Sequence, residues 1–180
     1  MVSSPFSLLN NRKPSQTNSS AVVHLKQKEA RSQLTALRGF LGIQSQPDYS
    51  YDQVQGTCVW IESREDFCDW RDPPDSEMDQ SPSIYWISAH PGTGKTLLAT
   101  HVISHLQQCK LACSYYYFQF GKKASQTLSD FLRSMAYQMA QSNTAVRDVL
   151  LQSQQDGSTF DVDDARAIWT KLYKRVILQV

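Results

Sequence analysis

The sequence predicts an α/β fold: an incomplete parallel sheet with flanking helices and an N-terminal helical segment. Three observations carry that expectation. An apolar run, Ile84 to Ile87, leads into a Pro/Gly-rich loop and then an amphipathic stretch from Leu97, the order strand, loop, helix. A second run, Leu111 to Phe120, is rich in aromatics (Tyr115, Tyr116, Tyr117, Phe118) and has the composition of a strand. Helical periodicities surround both runs, and such alternation implies a sheet with helices packed on it. Two strands are too few for a stable open sheet, so the sheet reads as unfinished.

The loop between the first strand and its helix is Ala89-His90-Pro91-Gly92-Thr93-Gly94-Lys95-Thr96. It follows the pattern G-x-x-x-x-G-K-[ST], with Ala89 where the first Gly would stand and Gly92 as an extra glycine. A loop with little side-chain bulk can turn its backbone N–H groups onto phosphate oxygens, and the positive end of the next helix adds to that field. Residues 89–96 are therefore the candidate nucleotide-binding residues. Lys95 would reach the β- and γ-phosphates of ATP or GTP, and the Thr96 hydroxyl would ligand Mg2+.

A chain of 180 residues with 41% hydrophobic and 11% aromatic content is globular in character and large enough to bury a core. Its net charge of +1 hides a strong asymmetry. Residues 1–44 carry six Lys/Arg and only Glu29 as an acid. Residues 45–80 carry ten acids against Arg64 and Arg71, and residues 81–180 carry ten basic and six acidic residues. The acidic block and the lack of a basic stripe interleaved with aromatics argue against nucleic acid as a partner. No apolar run has the length of a membrane span, and no apolar signal segment opens the chain, so a cytoplasmic protein is expected. Cys58, Cys68, Cys109 and Cys113 read as reduced, partly buried thiols, since the Cys109-x-x-x-Cys113 spacing is loose for zinc.

In chain order, residues 1–20 read as a flexible tail rich in Ser, Asn and Pro. Residues 21–55 hold a helix with the broken stripe Val22, Leu25, Leu34, Leu37 and Leu41, stopped near Gly39 and Gly42, and then a polar linker from Gln44. Trp60, Ile61, Phe67 and Trp70 are expected to face inward from a short helix capped by Thr57, and Asp72 to Pro82 reads as an exposed connection. The helix after the loop should run from Lys95 to Gln108. Its His101 and His105 lack the Glu of H-E-x-x-H and read as solvated surface histidines. Leu128, Phe131, Leu132, Met135 and Met139 form the best helical stripe, opened by Ser125 or Thr127. Asn143 or Thr144 begins the next helix, ended near Gly157, and Asp161 or Asp163 caps one through Ile168, Leu172 and Val176.

Several motifs in this order resemble the NACHT-type nucleotide-binding domain of fungal STAND proteins, of the nephrocystin-like N-terminal type. They are Gly56-Thr57-Cys58-x-Trp60, Phe67-x-x-Trp70, Ile84-x-Trp86-Ile87 with the loop, Cys113 to Phe118, Leu132 to Gln138 and Ile168-Trp169-x-x-Leu172-Tyr173. The resemblance spans about residues 30–178 and places a partial domain over 56–180. It implies the three-layer P-loop NTPase fold, binding of ATP or GTP with Mg2+, and a signal-transducing switch through self-association or contact with other NACHT or repeat proteins. The family's next motif, the acidic Walker B strand, has no counterpart. Asp161, Asp163 and Asp164 precede a helix and read as caps, so the chain resembles a domain truncated before Walker B.

The expected function is accordingly a nucleotide-binding signalling module deficient in hydrolysis, with no catalytic residue assigned and enzyme status open. A small P-loop phosphotransferase ranks below it, because the 115–120 run offers no carboxylate to hold an acceptor. A protein-interaction fragment that binds no nucleotide is the third reading.

Overall fold

The chain's structure, a computed structural model, describes residues 17–43, 56–73, 84–118, 121 and 127–179. Residues 1–16 of the expected tail 1–20, the linker 44–55, and residues 74–82 of the expected connection 72–82 lie outside these residues.

The α/β expectation is overturned: among the described residues there is no strand, and the architecture is helical. Segments 84–90 and 111–118, the two expected strands, carry no ladder. A strand is defined by its partner, and these two do not pair with each other. Both line a cavity of about 440 Å³, through Tyr85 and Ile87 on one side and Cys113, Ser114 and Tyr115 on the other. Aromatic and β-branched composition had registered only a tolerance for extended backbone. The three-layer P-loop architecture and its parallel sheet are corrected with it.

Six helices occur in the described residues: α1 (Thr17–Phe40), α2 (Glu65–Arg71), α3 (Lys95–Gln108), α4 (Leu128–Ser142), α5 (Thr144–Gln155) and α6 (Ala165–Ile168). A 3₁₀ turn, Val59–Ser63, precedes α2, and a π turn, Trp169–Lys174, prolongs α6. None is long and apolar enough to cross a membrane. Helix α1 begins at Thr17, inside the span read as tail.

The main core lies between the C-terminal half of α1 and helices α4 to α6. It includes Leu37, Leu41, Leu132, Ala136, Leu150, Ile168 and Leu172. Burying each such leucine is worth about 1.5–3 kcal/mol. On α4 the buried face is Leu132, Arg133, Ala136, Tyr137 and Ala140, whereas Leu128 is 57% exposed, so the expected stripe is rotated toward the small residues. Two buried arginines stop helices. Arg133 donates to the Leu41 and Gly42 carbonyls (3.1 and 2.8 Å) at the end of α1, and Arg147 to Ala140 O (2.9 Å) at the end of α4. Each supplies donors to carbonyls that the helix leaves unpaired. Gly42, at φ +61°, leaves room for Arg133: an added Cβ would meet Nη1 at 3.0 Å.

Side-chain caps fix the other ends. Thr127 opens α4, Asn143 accepts from Ala145 N and Val146 N at α5, and Asp164 accepts from Arg166 N and Ala167 N at α6. The third cap, Asp164, directly follows Asp163 and stands three residues beyond Asp161, and Asp161 accepts from Asp163 N in the preceding turn. The Asp161 and Asp164 carboxylates thus serve local backbone.

A second, smaller cluster joins Ile61 and Phe67 to Leu98 of α3. Trp60 is 54% exposed, against its expected inward orientation, and Cys58 rather than Thr57 precedes the 3₁₀ turn, at φ +67°. Segment 111–118 ties this cluster to α4. The Gln138 amide donates to Tyr115 O and accepts from Tyr115 N (2.9 and 3.0 Å), standing in for a strand neighbour at that residue.

Candidate functional site

The loop 89–96 sits where the extended segment 84–90 turns into α3. Gly92 and Gly94 have φ +81° and +84°, the left-handed region that glycine adopts at little cost. An added Cβ at either would meet nothing within 4 Å, so the space beside both glycines is open. Pro91 and Gly92 form the turn, and the Thr93 hydroxyl donates to His90 O at 2.8 Å.

Lys95 is the first residue of α3. Its Nζ folds back and donates to Ala89 O and His90 O at 2.7 and 2.6 Å. The structure therefore brings Ala89, His90, Thr93 and Lys95 into one hydrogen-bonded loop with a cation on its carbonyls. Thr96 is exposed at the second position of α3, and its hydroxyl makes no hydrogen bond to the described residues. Gly94 offers α3 no side-chain cap, unlike the residues that open α4, α5 and α6. The start of a 14-residue helix, with no side chain at its N-cap, thus lies beside an exposed ammonium, an arrangement suited to an anion. The cavity behind the loop is lined by Lys95, Phe67, Trp70 and Tyr85.

A further polar cluster lies on the opposite part of α3. His101 and His105 are not solvated surface residues: their side chains are 13% and 16% exposed. His101 Nε2 lies 2.8 Å and His105 Nδ1 3.4 Å from the Glu62 carboxylate, and Arg71 Nη1 lies 2.9 Å from His105 Nε2. Arg71 also donates to Asp72, which holds the Asp72 carboxyl below its usual range. The i, i+4 histidine spacing hinted at this cluster. Its organiser, Glu62, is 39 residues from His101 in the chain, and nothing local signals that pairing.

Among the described residues no group of three or more His, Cys, Asp or Glu side chains is arranged to hold a metal. The four cysteines are free, with Cys109 exposed, and burial pushes the Cys113 thiol up.

Compared with known proteins, residues 56–180 match the family model described as Nephrocystin 3, N-terminal. No curated protein and no solved structure matches the chain.

Proposed function

The chain belongs to the nephrocystin 3 N-terminal family, and from that premise we propose that loop 89–96 binds the phosphates of ATP or GTP with Mg2+, as the nucleotide-sensing element of a signalling protein. The observation that carries this reading is the Lys95 ammonium drawn onto the Ala89 and His90 carbonyls at the start of α3, where the N-cap residue is Gly94. A phosphate group would be bound by the backbone N–H groups of residues 92–96 and by Lys95. Its negative charge is favoured by the helix end and by the cation together.

Mg2+ would be held in part by the Thr96 hydroxyl, which is exposed and uncommitted. The ion would neutralise phosphate charge. In this reading the role is binding and signalling rather than turnover, with no residue assigned to activate water. The motif order across residues 56–178 favours the finer assignment to the NACHT type of STAND switch, acting by self-association or by contact with repeat-containing partners.

Isothermal calorimetry tests the reading. Mg·ATP or Mg·GTP should give a binding heat with the wild type that Lys95→Ala abolishes. The variant should stay folded, losing about 1 kcal/mol with the two exposed hydrogen bonds from Nζ. Equal heats for wild type and variant would remove the loop from the site.

A further inference from the structure

We infer that segment 59–72 is a strap across α3 that neutral His105 holds shut and that protonation of His105 releases at its α2 end. Donor and acceptor roles in the cluster decide this. The Glu62 carboxylate, when ionised, can only accept, so His101 Nε2 donates to it at 2.8 Å, and His105 Nδ1 faces it in a longer contact of 3.4 Å. The Arg71 guanidinium can only donate, so His105 Nε2, 2.9 Å away, must accept from it. Cys109 Sγ, 3.8 Å from the same nitrogen, is a second, weaker donor converging on it. The single ring proton of His105 therefore sits on Nδ1, and the ring is neutral.

A proton added at Nε2 turns that acceptor into a donor facing Arg71. The hydrogen bond becomes a contact between two cations. Asp72 already holds Arg71 through Nε and Nη2 at 2.9 and 2.6 Å, so the guanidinium has an anion to retreat to. Glu62 keeps His101 and His105, so the 3₁₀ turn stays attached to α3 while α2 lifts, and Cys68 Sγ, 3.3 Å from Glu62 O, tethers α2 to that turn as it moves. The groups facing His105 are thus Glu62, Arg71 and Asp72 from the strap, and His101 and Cys109 from α3. α2 itself carries Phe67, 1% exposed, and Trp70, both walls of the cavity that reaches Lys95. Release would remove the Phe67 and Trp70 wall of that cavity.

Hydrogen exchange on the full chain, corrected for intrinsic rates, reads the strap directly. Between about pH 8 and about pH 5.5, where histidines charge, protection of amides 65–72 should fall about tenfold while α4 and α5 hold theirs. His105→Gln, whose amide can accept from Arg71 and donate to Glu62 without titrating, should flatten the response. His101→Gln should leave it in place. Nitrogen NMR of the wild-type ring should find the His105 proton on Nδ1 at about pH 8, a readout that needs no variant. A flat wild-type profile, a response surviving His105→Gln, one abolished by His101→Gln, or a proton on Nε2 would each overturn the inference.

Discussion

The helical bundle and the loop-bearing unit are built to different standards of closure. In the bundle, twelve buried residues from α1, α4, α5, α6 and the C-terminal turns form one core, and its buried arginines end two helices. In the unit spanning residues 56–118 the buried cluster is Ile61, Phe67 and Leu98, while Ile84 and Trp86 on the extended segment are each 84% exposed. Packing therefore fixes the first region, and polar links fix much of the second: the strap contacts on α3, Gln138 on Tyr115, and Lys95 on its own loop. A region held by polar links can respond to charge. A region held by a dry core resists it.

The largest expected effect tests that difference in packing. Leu150→Ala, at a site with no exposure among the core residues, should lower stability by about 2–5 kcal/mol, the range for emptying a closed core. Leu98→Ala, beside a cavity of about 440 Å³, should cost less than Leu150→Ala, because part of its wall already lacks packing partners. Denaturant melts of both variants measure it. Equal losses would mean that the loop-bearing unit is as tightly packed as the bundle.

Helix ends come next. Asn143→Ala removes the acceptor for Ala145 N and Val146 N and should cost about 1 kcal/mol. Thr96→Ala, at the start of α3, removes no hydrogen bond to a described residue and should change stability by no more than about 0.5 kcal/mol. If Thr96 serves Mg2+, that same substitution should weaken nucleotide binding more in the presence of the ion than in its absence, as calorimetry with and without Mg2+ would show.

What the sequence made legible follows from the range over which each feature is determined. The ends of helix α3, Lys95 and Gln108, are legible because Gly94 and the apolar spacing of Leu98, Val102 and Leu106 are local signals. Asn143 and Gly157 marked α5 for the same reason. The sheet was misread because pairing is not local: 84–90 and 111–118 have strand composition but no ladder. His101 and His105 were misplaced for a related reason, since burial came from Glu62 and Arg71 on a distant segment. The loop 89–96 was legible as a motif, but the fold of Lys95 onto its carbonyls was not. Arg133 could be placed next to core residues from its spacing, whereas its service to the end of α1, across 92 positions, could not.

The smallest effect concerns the exposed start of α2. Arg64 donates to both oxygens of Asp66 (2.8 and 2.6 Å), and Phe67 N donates to one of them at 2.9 Å. The Arg64 hydrogen bonds, with the backbone donor adding to them, pull the Asp66 carboxyl down to about 2. A folded value below the unfolded one of about 3.9 means that the stabilisation is present above about pH 4 and is lost as pH falls toward about 2. Because both partners face solvent, the gain is small and screened by salt. Thermal melts at about pH 5 and about pH 2.5 should therefore show Asp66→Asn slightly less stable than wild type at the higher pH and closer to it at the lower. Raising the salt concentration should narrow the gap at the higher pH. A gap that widens on acidification would show that Asp66 favours its protonated form, and the polar-link description of this region would fail at its most exposed point.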